Sequence, residues 1–320
     1  MTQRALVTGG QGFVAQWAVR AMIARGWNVT AAGVSHGAES TMLRDDERQA
    51  VDWVTMDVTD GDQIAAAVER AAPDVVLHLA AISHVPDAKR NPARAFEVNA
   101  VGTVRLLAQL VERRRAGRGD PVVVVVGSSE QYGRHETDEM PLDEGAELRP
   151  LTLYAASKTA QEVAALQAFR GDGLRVVCTR SFNHSGAGQA PSFVLPGLVT
   201  RALAVARDGG PLTLGNGDTV RDFLHVDDVV NAYLSLAERG TPGEVYNVCS
   251  GEGVSIRALA ESVLQRIGVP ADISSDPALT RPVDVPVQIG SNAKLRHATG
   301  WTPRRTREDI IDDLIHAATR

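Results

Sequence analysis

Thr8-Gly9-Gly10-Gln11-Gly12-Phe13-Val14-Ala15 sits between a short apolar run, Ala5-Leu6-Val7, and a helical pattern over residues 14–25. Glycines in a strand-to-helix turn allow a tight bend and let backbone N–H groups approach a pyrophosphate at the helix N-terminus. Gly9 and Gly12 therefore read as a dinucleotide phosphate cradle. Phe13 and Val14 open the helix, and Ala15 holds the third fingerprint position, where alanine is permitted. Alone, such a turn is weak evidence. Its flanks give it weight.

Outward from this turn, apolar runs alternate with amphipathic stretches. Strands are expected at residues 27–32, at 54–56 ending on Asp57, at 75–79 and at 121–126. Helices are expected at 62–70 and 93–114. The run of five consecutive valines before Gly127 fits a parallel strand buried on both faces. A helix over 154–169 and a strand over 174–179 follow. Strand, helix, strand repeated in this way predicts an α/β fold with a Rossmann-like doubly wound parallel sheet. From Ser181 onward Gly, Pro and polar residues cluster, which predicts a smaller C-terminal substrate-binding lobe. Residues 1–180 are assigned to an NAD(P)-binding domain and 181–320 to the lobe, with a return to the first domain near 221–250. Residues 37–49 are polar and read as a loop.

The bulk numbers exclude several classes. With 320 residues the chain can bury a large domain and a second lobe. A net charge of -6 disfavours nonspecific binding to nucleic acid or to an anionic membrane. No apolar run approaches the ~20 residues of a membrane span. Cys178 and Cys249 lie in apolar runs without metal-ligand spacing, so no metal is expected and a reducing cytoplasm is the expected compartment. Arg113-Arg114-Arg115 reads as a solvated helix end.

The chemical residues come next. Tyr154 and Lys158 are four apart and share a helix face. An ammonium near a phenol favours phenolate, which is expected to lower the Tyr154 pKa and make it a usable acid or base. Lys158 is also placed to hydrogen-bond a nicotinamide ribose. Ser128, at the end of the valine strand, is placed to bond the same substrate oxygen as Tyr154. The bland reading of Tyr-x-x-x-Lys is a chance helix pair; Gly9, Gly12, Asn99 and Ser128 in this order oppose it.

The second strand ends Ala31-Ala32-Gly33-Val34-Ser35-His36, with no acid to hold a ribose 2′-OH. NADP(H) is therefore favoured over NAD(H), with Ser35 and His36 tolerating a 2′-phosphate and Arg44 reaching back to it. Asp57 could accept from the adenine amino group. Ala80, Ala81 and Ser83 either flank the cofactor or allow close packing. The full set of candidate cofactor contacts is Gly9, Gly12, Phe13, Val14, Ser35, Asp57, Val58, Leu79, Ala80, Ala81, Ser83 and Asn99, with Tyr154 and Lys158.

These motifs together resemble the extended short-chain dehydrogenases/reductases, a group of nucleotide-sugar epimerases, dehydratases and reductases. The likeness extends to residues 78–81 (His-Leu-Ala-Ala), 98–103 (Val-Asn-x-x-Gly-Thr) and 128–133 (Ser-Ser-x-x-Tyr-Gly). Residues 180–189, 220–229 and 281–286 resemble the GDP-mannose branch, and within it most closely the GDP-4-dehydro-6-deoxy-D-mannose reductases. The resemblance implies a GDP-linked nucleotide-sugar substrate contacted by Ser129, Glu130 and Asn183. Arg221 and Arg281 would pair with its diphosphate. It also implies a homodimer through the helices at 93–114 and 154–169. Leu106, Leu107 and Leu110 could serve that interface or the core. Leu153 and Ser181 stand where the family often has proline. Glu130 leaves the reaction open: it resembles the C5 base of 4,6-dehydratases, yet reductases of the branch often keep it. Reduction of a C4 ketone is the leading expectation. GDP-mannose 4,6-dehydration and 4-epimerisation with retained cofactor are the alternatives.

Overall fold

The computed structural model describes residues 2–35, 42–279 and 285–319. The first half alternates strand and helix: β1 (Arg4–Thr8), α1 (Phe13–Ala24), β2 (Asn28–Gly33), α2 (Asp45–Gln49), β3 (Val51–Thr55), α3 (Gly61–Ala71) and β4 (Val75–His78). Two short helices, α4 (Val85–Arg90) and α5 (Pro92–Phe96), lead through a π-helical turn, Glu97–Val101, into α6 (Gly102–Arg115). β5 (Val122–Ser128), α7 (Leu153–Asp172) and β6 (Arg175–Ser181) complete this half.

The second half begins with β7 (Asn183–Ser185), α8 (Val194–Asp208), β8 (Leu212–Leu214), β9 (Val220–His225) and α9 (Val226–Arg239). It continues with β10 (Val245–Val248), β11 (Gly253–Ser255), α10 (Ile256–Ile267) and β12 (Ile273–Ser275). β13 (Val287–Gln288), α11 (Ala293–Thr299) and α12 (Arg307–Ala318) end it.

Seven parallel strands form the main sheet in the order β10-β6-β5-β4-β1-β2-β3. Helices cover both faces. Ala15, Val19 and Met22 of α1 share one core with Val229, Tyr233 and Leu236 of α9. Ile64 and Val68 of α3 share the other with Leu106, Leu107, Leu110 and Ala165. The three leucines of α6 are therefore core residues, each 3% exposed or less. Strand order reverses between β1 and β4, and in such sheets ligands bind outside the carboxyl ends at that switch.

A second sheet, β11-β9-β13 with β7 also on β9, and a two-stranded β8–β12 pair sit over those carboxyl ends. Their core is built from Leu195, Leu198, Phe223, Leu259, Val263 and Ile311. The chain leaves the main sheet after β6 and rejoins it through α9 and β10, while β9 belongs to the second sheet.

Two expectations change. The polar stretch 37–49 is not all loop, because Asp45–Gln49 is helical and Glu47 is buried against Arg20. The helix expected at 93–114 is interrupted by the π turn. A π turn widens the helix locally, and it faces buried Asn99 and Ala100 inward at this point.

Candidate active site

The cleft between the two sheets has a volume of about 860 Å³. Its floor is the glycine turn. Gly9 has φ +68, and a Cβ there would lie 2.9 Å from the backbone of Ala80. Only glycine combines that conformation with so close an approach. Gly12 caps α1 without a side-chain partner, and the first turn of α1 carries no acid. Its leading N–H groups and the positive end of the helix dipole face the cleft floor, an arrangement suited to a phosphate.

A directed chain of hydrogen bonds ties this floor to α7. The Thr103 hydroxyl donates to the Asn99 carbonyl at 2.7 Å, so its oxygen accepts from His78 Nε2 at 2.8 Å. His78 is thus the Nε2–H tautomer and accepts from Thr8 at 2.7 Å through Nδ1. Thr8 Oγ1 in turn accepts from the Leu79 and Ala80 N–H groups. Asn99 clamps Ile82 with two bonds and donates to Ser157 Oγ at 2.9 Å; Ser157 donates to the Tyr154 carbonyl. Burial, aided by the Lys158 charge, pushes the His78 pKa down to about 3, so the ring stays neutral.

Tyr154, Lys158 and Ser128 meet in the middle of the cleft. Thr152 caps α7 through Ala155 N, which starts the helix just before Tyr154. Lys158 Nζ donates to the Val126 carbonyl and to Gln161 Oε1, both at 2.8 Å. Burial brings its pKa down to about 7. Burial also pushes Tyr154 up to about 12; the nearby Ser128 hydroxyl works against this and the Glu130 charge adds to it. The expected lowering of the Tyr154 pKa is therefore absent in the protein alone, because desolvation of the phenolate outweighs the polar neighbours.

Behind Ser128 stands a second network. Ser128 N–H donates to Gln131 Oε1 at 2.8 Å, and Gln131 donates to Glu162 at 2.8 Å. Arg180 grips Glu162 with two bonds, 3.0 and 2.7 Å, and donates to Tyr132, whose hydroxyl donates to Asn247. The pair is buried on both sides.

Comparison with known proteins gives the lineage. The GDP-mannose 4,6 dehydratase family model matches residues 6–314. The chain belongs to that family, within the extended short-chain dehydrogenases/reductases. It is similar to the GDP-6-deoxy-D-mannose reductase of Pseudomonas aeruginosa, with 38% identity over 76% of this chain and 79% of the relative. It is 31% identical to the GDP-6-deoxy-D-talose 4-dehydrogenase of Aggregatibacter actinomycetemcomitans, over 77% of this chain and 80% of that one. Among solved structures, RMD from Pseudomonas aeruginosa complexed with NADPH matches with a TM-score of 0.82 and 32% identity, covering 100% of both chains. The UDP-glucose 4-epimerase of Thermus thermophilus, solved with NAD, gives 0.84 and 29%, covering 98% of both. The chain is accordingly an enzyme of the extended short-chain dehydrogenase/reductase type.

In this family member the cleft wall contains Gly9, Gly12, Phe13, Val14, Ser35, Asp57, Val58, Leu79, Ala80, Ala81 and Ser83. Ser129, Glu130 and Asn183 line it as well. Asn99 does not: it is fully buried behind the wall and positions Ile82 and Ser157. Asp57 lines the wall already engaged. Burial raises its carboxyl, but bonds from Thr59 and Arg94 outweigh that and hold it below its ordinary pKa. Arg221 lies on β9 outside the wall, donating to the Val220 and Pro286 carbonyls. His36 and Arg281 lie outside the described residues. Arg44 is turned to α2, paired with Asp46 and Glu47, not toward Ser35. The sequence reading missed Arg94, His84, His184, Phe193 and Phe223, all in the wall. Of these, His184 and Phe223 stood within quoted motifs without a role; the others are brought there by long-range packing.

Proposed function

We propose that this enzyme reduces the C4 ketone of GDP-4-dehydro-6-deoxy-D-mannose to a GDP-6-deoxyhexose of the GDP-D-rhamnose type, with NADPH. The observation that carries the reading is the Tyr154 phenol in the cleft wall with Ser128 and Lys158, buried and kept protonated, a proton donor at neutral pH. Reduction needs an acid at the carbonyl oxygen.

The chain's residues fit a nicotinamide dinucleotide. Gly9 and the start of α1 would hold the pyrophosphate, since a Cβ would fill the space at Gly9. Arg94 and the small residues Ala80 and Ala81 would line the adenosine and ribose end. The dinucleotide supplies the hydride. NADP(H) is preferred in this reading because the acids of the wall, among the described residues, are Asp57 and Glu130. Asp57 is occupied by Arg94 and Thr59, and Glu130 stands beside Tyr154, so neither is free for a ribose 2′-OH. A relative solved with NADPH agrees.

Tyr154 donates its proton to the oxygen at C4. Ser128 bonds the same oxygen and keeps it in line with the phenol. Lys158, with a pKa near neutrality, readily carries or yields the proton that restores Tyr154. Asn183 would contact the sugar and Arg281 the diphosphate, in a substrate lobe drawn from residues 181–320 apart from α9 and β10, which return to the main sheet. The homodimer is proposed through α6, the π turn before it, and α7, which expose Val101, Val104, Leu153 and Val163 at their surfaces.

A second reading is GDP-mannose 4,6-dehydration. Glu130 in the wall, close enough to influence Tyr154, favours it. NADPH absorbance separates the two. Loss with GDP-4-dehydro-6-deoxy-D-mannose and none with GDP-mannose is expected. Conversion of GDP-mannose to a keto sugar without net NADPH loss would reject the reductase.

A further inference from the structure

β7 is three residues long and brings His184 into the cleft wall. Its Nδ1 lies 2.9 Å from the Phe182 carbonyl oxygen. A carbonyl only accepts, so Nδ1 carries the hydrogen and donates. The neutral ring has one N–H, which leaves Nε2 with a lone pair. Burial holds the imidazole below its ordinary pKa, against the opposing effect of the Phe182 bond, so the ring is neutral near pH 7. Gln189 steadies this strand, donating to the His184 carbonyl at 3.1 Å and accepting from the Ser185 hydroxyl at 2.6 Å.

The surroundings say what such a lone pair meets. Asn183, Gln189, Phe193 and Phe223, all in the wall, come from the lobe and not from the glycine turn. A lone pair repels phosphate oxygens, which carry no hydrogen to share. The hexose of the proposed substrate keeps hydroxyl donors at C2 and C3.

We infer that His184 Nε2 is a fixed hydrogen-bond acceptor that positions the hexose of the nucleotide sugar by taking a bond from one of its hydroxyl groups. The inference rests on the reading of this cleft as a nucleotide-sugar site. His184 is a substrate-positioning residue and takes no proton in the reaction.

Two substitutions separate the two ring nitrogens. His184→Asn keeps a donor for the Phe182 carbonyl and removes the distal acceptor. His184→Gln keeps an acceptor near the Nε2 position and gives up the near donor. Loss of one such bond is expected to raise KM for the sugar substrate about tenfold in His184→Asn, with kcat within about twofold. His184→Gln recovers most of that loss. By calorimetric titration the Asn variant binds GDP-mannose more weakly by the same factor and binds GDP and NADPH like wild type.

The reverse order, with Asn near wild type and Gln impaired, would mean that the ring serves only the Phe182 backbone and would overturn the inference. Weakened NADPH binding with unchanged sugar binding would also overturn it, since the acceptor would then face the nicotinamide carboxamide. If wild type binds UDP-glucose or dTDP-glucose in place of GDP-mannose, the GDP reading fails. The same titration on that sugar and its parent nucleoside diphosphate then decides His184.

Discussion

The two walls of the cleft handle their polar groups in opposite ways. On the main-sheet wall, the bonds from Thr8 through His78, Thr103, Asn99 and Ser157 to the Tyr154 carbonyl all have assigned directions and end within the protein. On the lobe wall, His184 spends one nitrogen on backbone and, among the described residues, keeps the other for the cleft. Closed networks rigidify, because every member depends on its neighbours' geometry. The main-sheet wall can therefore hold one dinucleotide in one register, while the lobe wall reads what is placed against it. Tyr154 sits where the walls meet, its backbone tied to the first and its phenol beside Ser128.

Removing the phenol tests this division most severely. Tyr154→Phe takes away the proton donor and leaves the carbonyl that anchors it. Turnover is expected to fall about 10²–10⁴-fold, with stability within about 1 kcal/mol of wild type by urea unfolding. A comparable loss of stability would show that the two walls are not separable at this residue.

Next is the buried pair behind Ser128. Glu162→Ala leaves Arg180 as an uncompensated buried charge, which costs about 3–5 kcal/mol, read from the urea midpoint. Gln131 also loses its anchor, and with it the bond that holds Ser128 N–H. Turnover should fall with NADPH affinity retained, since among the described residues no hydrogen bond joins Glu162, Gln131 or Arg180 to the glycine turn. An unchanged midpoint would mean that the closed wall is more compliant than its bonds imply.

Much of the main-sheet wall was legible in the sequence, and little of the lobe wall was. The valine run, the glycine turn and the Tyr154–Lys158 spacing are local signals, each contained in one element or one turn. They place β1, β5 and α7 without reference to anything distant. The lobe sheet is made largely of β7, β11 and β13, of two or three residues each, too short for an alternation to register. The Asp57–Arg94 pair joins residues 37 positions apart, and no periodicity announces it. Asn99 was found by its motif but read as a cofactor contact, because the π turn that draws it behind the wall has no sequence signature of its own. The Tyr154 pKa was expected on the wrong side because spacing reveals a neighbouring charge and not the burial that outweighs it.

Lys158 offers a titration of the meeting point. Its folded pKa of about 7 lies below the ordinary 10.5. Between those values the unfolded chain binds the proton and the folded protein does not, so stability rises with pH across that window. From pH 9 the trend reverses, because burial keeps the Cys178 and Cys249 thiols protonated while those of the unfolded chain ionise, and above pH 10 the buried Tyr132, Tyr154 and Tyr233 add to the decline. The cofactor-free enzyme should therefore gain on the order of a few kcal/mol between pH 7 and 9. Lys158→Met should flatten that rise and leave the decline above pH 9. A rise that survives the substitution would assign it to other groups and would place Lys158 in a wetter site than its bonds to Val126 and Gln161 indicate.

The smallest expected effect concerns the edge of the main-sheet wall. An arginine near the end of β2 would suit a 2′-phosphate, and Arg44 is near in sequence. In the fold its guanidinium bonds Asp46 through Nε and Nη2 at 3.1 and 3.0 Å, and Nη1 lies 3.0 Å from Glu47. Glu47 is also held by Arg20 from α1, which anchors α2 on the body of the domain. Arg44 thus closes a local charge cluster in the way the rest of that wall closes its hydrogen bonds. Arg44→Ala should leave the ratio of NADPH to NADH affinities within about twofold, since an exposed ion pair contributes little. A tenfold shift toward NADH would show that Arg44 abandons Asp46 for the bound cofactor. The main-sheet wall would then be open at this one corner, reading its ligand as the lobe wall does.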